Sequence, residues 1–365
     1  MKIVIIGGHL SPAYAVVKEL LKQGDEVIFF GRKHNIEGEK EISFEFEQIQ
    51  NLGIPFIPIT SGRLQRKFTI HTIPSLIKIP FGFFQALINL MKMKPDRVVG
   101  FGGYLSVPVI FSAWILGIKS ITHEQTLKLG LANKINKLFV SKVAVSYQQT
   151  LKEIGKKGVL TGNPLREEIF NTQINDFRLK EFFENNKKQI IFATGGAQGS
   201  HRINLLIEKN LELVLSKFSL IHQIGRSSTH DDKDRLEAKR NKLAGELQKK
   251  YIICEYIGTK DIGGVLYKAD LVISRAGANT TQELTILSRK AILIPIPFAS
   301  HNEQFENAKL LESLNLAKIL KEEQTASVDL IELIEQTLKL KVKKYGQNIN
   351  LQNSAQKIID QIKSL

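Results

Sequence analysis

The chain has 365 residues, 43% hydrophobic and 24% charged, which excludes a disordered protein and is enough for two globular domains. Its single cysteine, Cys254, excludes an internal disulfide framework and is typical of a reducing compartment. The net charge of +15 favours a polyanionic partner or an anionic surface, but charge alone does not separate nucleic acid, acidic lipid and phosphorylated substrates.

No stretch reaches the roughly 18 to 20 apolar residues that a membrane-spanning helix needs. The apolar start Ile3–Ile6 is too short for a signal peptide and runs directly into two glycines. We therefore expect a cytoplasmic protein that is able to rest on a membrane.

The N-terminal half alternates short apolar runs with helical patterns, which predicts a parallel sheet covered by helices on both faces. The predicted strands are Lys2–Ile6, Glu26–Phe30, Arg97–Gly100 and Ser120–Thr122, and the predicted helices are Pro12–Gln23 and Pro108–Leu116.

A second series of the same kind begins after residue 188. Its predicted strands are Ile190–Thr194, Leu220–Ile224, Tyr251–Tyr256, Leu271–Ser274 and Ala291–Pro295, with helices at Ile203–Leu215, Val328–Leu340 and Ile349–Ile362. Each half therefore predicts its own doubly wound domain.

These patterns predict an α/β protein with two Rossmann-like, doubly wound parallel-sheet domains facing a cleft. We place the first domain at residues 1–165, a charged, asparagine-rich linker at 166–188 and the second domain at 189–340. Residues 341–365 are expected to form a C-terminal helix that packs back on the first domain.

Glycine-rich turns follow several of the predicted strands. In such sheets ligands bind beyond the carboxyl ends of the strands, where free helix N–H groups favour phosphate. The clearest turn is Gly195–Ser200; Gly100–Tyr104 and Gly7–His9 are weaker examples, and tight-turn chemistry is the other explanation. Together the turns predict an enzyme that holds a diphosphate.

A fourth turn, Ser274–Thr281, also follows a predicted strand and opens a helix. Its small and hydroxyl residues suit a phosphate, and Arg275 supplies positive charge. Glu283 has two interpretations: a capping-box partner of Thr280, or an acceptor of hydrogen bonds from ribose hydroxyls.

Ordered sequence blocks extend over nearly the whole chain. They are Gly100–Pro108, Trp114 with Leu116-Gly117, His123–Gln125, Gly130 with Asn133-Lys134, Gly162–Arg166, Gly195–Ser200, Ser274–Gly277 with Glu283, and Gln304 with Asn307-Ala308. In order and content they resemble the MurG family of glycosyltransferase family 28. The resemblance implies a GT-B fold and inverting transfer of N-acetylglucosamine (GlcNAc) from UDP-GlcNAc to the 4-hydroxyl of MurNAc in undecaprenyl-diphosphate-MurNAc-peptide (lipid I), giving lipid II for peptidoglycan.

The resemblance implies no cofactor and no metal, and the sequence shows no paired aspartates suited to a metal. It places UDP-GlcNAc on the C-terminal domain. The implied donor residues are Arg166, Gly196, Gln198, Gly199, Ser200, Ile257, Arg275, Gly277, Ala278, Asn279, Thr280, Glu283, Gln304 and Asn307. The glycine turn and the two arginines are implied to hold the diphosphate, Glu283 the ribose and the backbone at Ile257 the uracil. Gln304 and Asn307 are implied to hold the GlcNAc hydroxyls.

The N-terminal domain is implied to hold the diphosphate and sugar of the lipid acceptor. The implied acceptor residues are Gly7, Gly8, Gly102, Gly103, Tyr104, Gln125 and Asn133. His9 is the candidate general base for the acceptor hydroxyl, since an imidazole near neutral pH suits that task; a turn-capping role is the alternative. Glu124 is the second candidate catalytic residue.

The chain departs from the family pattern in three places. The first loop is shortened to Ile6-Gly7-Gly8-His9, which offers fewer amides to the acceptor diphosphate. Thr126 stands where asparagine is usual, and Glu303 where histidine or glutamine is common. These changes concern the acceptor and sugar contacts and not the class of reaction.

An apolar stripe at helical spacing suggests contact with a membrane. Its members are Ile73, Leu76, Ile77, Phe81, Phe84, Leu87, Ile88 and Met91, and nearby basic residues are Arg63, Arg66, Lys67, Lys78, Lys92 and Lys94. We expect Ile77, Phe81, Phe84 and Trp114 to contact the anionic cytoplasmic face of the cell membrane, although core packing explains such a stripe equally well. Pro74 and Pro80 predict a broken helix or a loop here.

Three alternatives remain at this stage. A nucleotide-sugar epimerase shares the two-Rossmann architecture but needs no lipid acceptor. Another lipid-acceptor glycosyltransferase of the GT-B type is the second. A basic nucleic-acid-binding protein requires a continuous basic face, and no nucleic-acid-binding motif is present; we expect no nucleic-acid partner.

Overall fold

A computed structural model describes residues 1–34, 42–60, 62, 72–227, 229–298, 302–342 and 353–365, with the backbone alone for 72–79. The chain divides into two compact units. Unit 1 comprises Met1–Arg166 and Ile349–Leu365, and unit 2 comprises Glu167–Asn348.

Unit 1 is built on a parallel sheet. Its strands are β1 (Lys2–Ile6), β2 (Glu26–Gly31), β3 (Phe56–Pro58), β4 (Arg97–Gly100), β5 (Ser120–Glu124), β6 (Lys142–Val145) and β7 (Gly158–Leu160). Its helices in the first part of the chain are α1 (Leu10–Lys22), α2 (Phe44–Gln50), α3 (Thr72–Met93), α4 (Ser106–Ile115), α5 (Leu131–Phe139) and α6 (Gln148–Ile154). The strand order is β3-β2-β1-β4-β5-β6-β7, so the direction of winding reverses between β1 and β4.

Unit 2 has a second parallel sheet. Its helices are α7 (Phe177–Asn185), α8 (His201–Lys217), α9 (Asp232–Asn241), α10 (Gly245–Gln248), α11 (Thr259–Lys268), α12 (Ala278–Ile286), α13 (Glu303–Ser313) and α14 (Leu330–Leu338). Its strands are β8 (Ile190–Thr194), β9 (Ser219–Gln223), β10 (Tyr251–Cys254), β11 (Leu271–Ser274), β12 (Ala291–Leu293) and β13 (Ala317–Ile319). The order β10-β9-β8-β11-β12-β13 places the reversal between β8 and β11. The predicted fold class, two doubly wound α/β domains, is confirmed.

Strand β1 shows why its apolar run forms a central strand. Alternate side chains of a strand point to opposite faces, and in this sheet both faces are covered by helices. Ile3 and Ile5 are buried in the core on one face, and Val4 and Ile6 in the core on the other. An unbroken apolar run is therefore required.

The segment expected to be a linker belongs to unit 2 from residue 167 onward. It forms a 3-10 helix at Glu167–Phe170 and then α7, which Asp176 caps by accepting from the backbone N–H groups of Arg178 and Leu179. Leu179 and Phe182 are buried in the core of unit 2. Apolar residues spaced along a charged helix explain why composition alone suggested a linker.

Helix α15 (Ser354–Lys363) closes unit 1. Ile358, Ile359 and Ile362 are fully buried in the same core as Val16 of α1. The C-terminal helix therefore packs on the first domain, although it is separated from that domain by the whole of unit 2 in the sequence.

The expectation of a broken helix around Pro74 and Pro80 is wrong. Helix α3 runs from Thr72 to Met93 and contains Pro80 within it. Pro74 lies in the first turn, where backbone N–H groups make no hydrogen bond within the helix, so a residue without an N–H is tolerated.

Candidate active site

The two glycine turns of unit 1 are in direct contact. They follow β1 and β4, which are adjacent strands, and the N–H of His9 donates to the carbonyl of Phe101 at 3.1 Å. A Cβ on Gly8 would lie 2.3 Å from the carbonyl oxygen of Gly102, and one on Gly103 would lie 2.9 Å from the Cα of Gly8. Only glycine permits so close an approach of two backbones. These glycines are therefore explained by the contact between the turns, before any ligand is considered.

His9 lies at the point where the turns meet. A Cβ on Gly102 would lie 3.2 Å from the His9 Cδ2, so the imidazole packs against the glycine backbone. Burial lowers the pKa of His9 below 6.5, and the charge of Glu124 opposes this shift without cancelling it. The imidazole is thus neutral at pH 7, the form that accepts a proton. His9 is also the N-cap of α1, but its side chain makes no capping hydrogen bond, which removes the turn-capping alternative.

The carboxylate of Glu124 is held by four hydrogen bonds. Oε1 accepts from the backbone N–H of Thr126 at 3.0 Å and from its hydroxyl at 2.6 Å. Oε2 accepts from the N–H of Gly130 at 2.8 Å and from the Asn133 amide at 3.0 Å. The carboxylate lies at the N-terminus of α5, where the helix dipole favours negative charge. Its surroundings fit an orienting and electrostatic role, and Thr126 completes them despite its departure from the family pattern.

Asn133 and His123 form the polar support behind Glu124. The Asn133 amide oxygen accepts from the Thr122 hydroxyl at 2.6 Å, and its nitrogen donates to the His123 carbonyl at 3.0 Å. Burial lowers the pKa of His123 to about 4, and its Nε2 lies 3.1 Å from the Gly162 carbonyl. His123 is therefore a neutral donor within the fold.

Gln125 is buried beside this network, and its Oε1 has no hydrogen-bond partner among the described residues. An unpaired buried amide oxygen is costly unless a ligand satisfies it. Gln125 therefore holds an unsatisfied, buried acceptor oxygen in the predicted acceptor region.

Sequence reasoning missed Glu45. A Cβ on Gly7 would lie 2.0 Å from the Glu45 Oε1, so this carboxyl group occupies the space of a side chain at position 7. Burial raises the pKa of Glu45 against the opposing N–H of Arg32, which donates to Oε2 at 3.1 Å. Tyr104, an implied acceptor residue, stacks near the same arginine, with 5.5 Å between the Arg32 Cζ and the ring centroid.

The main glycine turn of unit 2 connects β8 to α8. A Cβ on Gly199 would lie 2.1 Å from the Ile224 carbonyl oxygen, and Gly195 is crowded by Ser200, so both glycines serve internal packing. Gly196 differs: it has φ +85°, and a Cβ there would meet nothing within 4 Å among the described residues. Gly196 and Gln198 are exposed, as a ligand-binding turn requires.

Gln223 is a second residue that the motifs did not reveal. Its amide nitrogen donates to the Thr194 hydroxyl at 3.0 Å and to the Gly196 carbonyl at 2.9 Å. Its oxygen accepts from the N–H of Ile257 at 2.9 Å. Gln223 therefore ties the glycine turn to the predicted uracil segment. The N–H of Ile257 is used within the fold, so a contact with a base falls to other backbone atoms.

Arg275 joins the fourth turn to the first one of unit 2. Its Nε donates to the Ser200 hydroxyl at 3.0 Å, and Ser200 is the N-cap of α8. Its Nη1 donates to the Glu322 carboxylate at 2.6 Å and to the Ile294 carbonyl at 3.2 Å. The structure thus brings the predicted residues Arg275 and Ser200 together.

The turn before α12 favours the ribose interpretation of Glu283 over the capping box. Gly277 is the N-cap of α12, Ala278 to Thr280 form its first turn, and the cap has no side-chain hydrogen bond. Glu283 lies a full turn further along the helix and is buried. Asn279, beside it, is half-buried.

The predicted sugar contacts lie on α13. Asn307 is buried; its nitrogen donates to the Ala276 carbonyl at 3.1 Å, while its Oδ1 has no partner among the described residues. The Gln304 Oε1 accepts from the N–H of Ile296 at 3.1 Å. Asn307 thus offers an unpaired acceptor beside the fourth turn. Arg166 is half-buried at the end of unit 1's main segment.

The apolar side chains of α3 lie on two faces of the helix, one buried and one exposed. Ala86 and Leu90 are buried in the core, whereas Phe81 and Phe84 are 60% and 58% exposed. Trp114 of α4 is 53% exposed. The side chain of Ile77 and the basic residues 63, 66, 67 and 78 lie outside the described side chains.

In the described part of the chain, no helix has the length and apolar character needed to cross a bilayer. Within the same residues, no group of three or more His, Cys, Asp or Glu side chains is placed to hold a metal ion.

Comparison with known proteins places the chain in a family. The model of the glycosyltransferase family 28 N-terminal domain matches residues 6–145, and that of the family 28 C-terminal domain matches residues 190–362. These two matches, on a fold of two doubly wound α/β units, define a glycosyltransferase of family 28.

Two sequence relatives narrow the class. A UDP-N-acetylglucosamine–N-acetylmuramyl-(pentapeptide) pyrophosphoryl-undecaprenol N-acetylglucosamine transferase from Clostridium botulinum (strain Alaska E43 / Type E3) is 35% identical, covering 99% of this chain and 97% of its own. Its namesake from Clostridium novyi (strain NT) is 33% identical, covering 100% and 97%. The chain belongs to this family of transferases, the MurG family.

Solved structures share the fold. Acinetobacter baumannii MurG superposes with a TM-score of 0.70 at 23% identity, covering 100% of both chains. A UDP-GlcNAc 2-epimerase from Neisseria meningitidis also superposes, with a TM-score of 0.63 at 13% identity over 100% of both chains. The fold alone is therefore compatible with an epimerase. The sequence identity to the transferases, and not the fold, favours a transferase.

Proposed function

We propose that this chain transfers GlcNAc from UDP-GlcNAc to the 4-hydroxyl of MurNAc in undecaprenyl-diphosphate-MurNAc-peptide, with inversion at the anomeric carbon. The observation that carries the proposal is the 35% identity to such a transferase along 99% of the chain. Its neutral His9, Glu124 network and exposed Gly196 turn supply the groups that this chemistry needs.

In the proposed reaction, the acceptor hydroxyl attacks the anomeric carbon of GlcNAc while His9 takes its proton. The carboxylate of Glu124 stabilises the imidazolium that forms, through the charge interaction that already acts on His9. The bond to UDP breaks, and the Gly196–Ser200 turn with Arg275 stabilises the departing diphosphate. Glu283 holds the ribose, and Asn307 with Gln304 orients the sugar.

The decisive experiment is incubation of the full chain with labelled UDP-GlcNAc and undecaprenyl-diphosphate-MurNAc-peptide in detergent or vesicles. We expect label in the lipid fraction. An epimerase would instead leave the lipid fraction unlabelled. It would convert UDP-GlcNAc into another sugar nucleotide, and it would do so in the absence of the lipid acceptor.

We further propose that unit 1 docks on the anionic cytoplasmic face of the cell membrane. Phe81, Phe84 and Ile88 recur at helical spacing on the exposed face of α3, and Lys92 and Lys94 are exposed at its end. Aromatic contacts continue this surface onto α4: Phe84 packs on Phe83, Phe83 on Phe111, and Phe111 stacks with Trp114 at 5.8 Å. Apolar side chains beside basic ones favour an anionic interface.

Flotation with vesicles rich in anionic lipid tests this surface. The double variant Phe81→Asp, Phe84→Asp should lose most of the vesicle-bound fraction, whereas Phe177→Asp should retain it, because Phe177 is 74% exposed but lies on unit 2. Unchanged flotation of the double variant would show that another surface binds the membrane.

A further inference from the structure

Glu322 lies between two arginines of unit 2. It opens a 3-10 helix at Glu322–Gln324. One carboxylate oxygen is 2.6 Å from the Arg275 Nη1 and the other is 3.5 Å from the Arg202 Nε. The side chains of Arg275 and Glu322 are only 15% and 14% exposed. This ion pair is therefore screened less by salt than a surface pair.

Both arginines lie next to the turn proposed to hold the donor diphosphate. Arg275 donates from its Nε to the Ser200 hydroxyl at 3.0 Å. Arg202 is the second residue of α8, the helix that Ser200 caps. The carboxylate of Glu322 thus neutralises positive charge at the Ser200 end of the Gly196–Ser200 turn. A bound diphosphate and this carboxylate are two anions that compete for the same cations.

We propose that Glu322 is a positioning residue that sets the affinity for the donor diphosphate by occupying Arg275. This inference rests on the proposed function, since it assumes a nucleoside diphosphate at the Gly196–Ser200 turn. Without a ligand, the carboxylate keeps the guanidinium in place and neutralised. When the diphosphate is bound, the Arg275 guanidinium interacts with two anions, so each anion weakens the interaction of Arg275 with the other. Glu322 therefore makes donor binding weaker and release of UDP faster than the arginines alone would allow.

Substitution Glu322→Gln separates charge from shape. The glutamine oxygen still accepts from Arg275, but the competing negative charge is gone. Glu323→Gln is the matched control: it removes the same charge from the next residue, which is exposed. UDP titration of the full chain by calorimetry should give a Kd for Glu322→Gln that is roughly three- to tenfold lower than that of the unmodified chain. The control should remain within about twofold.

A thermal melt supplies a readout that a merely structural role would not produce. Without UDP, Glu322→Gln should melt below the unmodified chain, because Arg275 lacks its counter-charge. With saturating UDP the difference should narrow, because the diphosphate supplies the missing anion. Equal or weaker UDP affinity, or a melting difference that UDP does not change, would overturn the role of Glu322 alone. Failure of the unmodified chain to bind UDP would overturn the proposed function as well.

Discussion

At the scale of single residues, His9 carries the strongest expectation. Burial lowers its pKa below the ordinary 6.5. The base is therefore unprotonated at pH 7, and the rate should fall only as the pH drops below the usual imidazole range. His9→Ala should lower kcat by about 10²- to 10⁴-fold, as loss of a general base does, with little change in KM for UDP-GlcNAc. The measurement is the pH profile of kcat for lipid-acceptor glycosylation.

His123→Asn is the comparison for this variant. His123 is also buried, with a pKa lowered to about 4, but it contacts the Gly162 carbonyl within the fold. Its loss should lower stability and leave the acid limb of the profile in place. A His9→Ala enzyme that keeps both its turnover and its acid limb would assign the base elsewhere.

Glycine substitutions separate two contributions to stability: the cost of a left-handed backbone conformation and the cost of a clash between the two turns of unit 1. Gly103 has φ +71° and abuts Gly8, whereas Gly24 has φ +77° and a Cβ there would meet nothing within 4 Å among the described residues. Gly24→Ala should lower the free energy of unfolding by only about 1 kcal/mol, the cost of a left-handed conformation for a residue with a side chain. Gly103→Ala should cost about 2 to 4 kcal/mol, because the turn must also shift. Urea unfolding at pH 7 gives both values; equal losses would show that the turns adjust freely.

Motifs predicted the residues that lie on the glycine turns, because the close approach of backbones at these turns requires glycine at fixed local positions. They did not reveal Glu45, Gln223 or Glu322, which reach those turns from elements distant in sequence. Gln223, for example, lies on β9 and contacts Gly196 only because β9 pairs with β8. Contacts of this kind depend on the register between strands, which one sequence does not contain.

At the scale of elements, α15 is held to unit 1 by an ion cluster as well as by its apolar face. Asp25 accepts a hydrogen bond from the N-terminal amine at 2.8 Å and forms an ion pair with Lys363 at 2.9 Å. Burial by itself raises the pKa of Asp25, but hydrogen bonds and charges from Lys363 and the amine outweigh it, so the pKa lies below 3.8. A lowered carboxyl pKa means that the cluster stabilises the fold above that pH, and that this contribution is lost as the pH falls through the folded-state pKa.

Asp25→Asn should therefore lower the free energy of unfolding of unit 1 by about 1 to 2 kcal/mol at pH 7. The difference should vanish in strong acid, where Asp25 of the unmodified chain is also protonated. Glu26→Gln serves as the control, because Glu26 is 61% exposed in its pair with Lys2. Chemical denaturation followed across the pH range measures both; a difference independent of pH would show that the charge of Asp25 is not involved.

Most strands were predicted to within two residues, because buried strands are short apolar runs between turn residues. Strands β1, β4, β8 and β11 have the predicted bounds. Strands β3, β6, β7 and β13 were not predicted. Two other elements were misjudged because packing overrides local preference. Helix α3 continues through Pro80, and it packs along α4, which offsets one lost hydrogen bond. The sequence also did not show that α7 adds buried side chains to unit 2.

At the scale of the whole molecule, each unit has its own sheet and its own cores, so each can unfold as a separate cooperative element. The proposed donor residues lie almost entirely in unit 2. A ligand that binds only the folded state stabilises it by about 2.7 kcal/mol at 100 times its Kd. At about 2 to 4 °C per kcal/mol for a domain of this size, this raises the melting temperature by about 5 to 11 °C. Saturating UDP should thus raise the melting temperature of one calorimetric transition and leave that of the other unchanged.

Hydrogen exchange at the same ligand concentration shows which unit is stabilised. The amides of β8 and β11 should gain protection, and those of β1 and β6 should not. Equal gains in both units would mean that the donor is not bound by unit 2 alone.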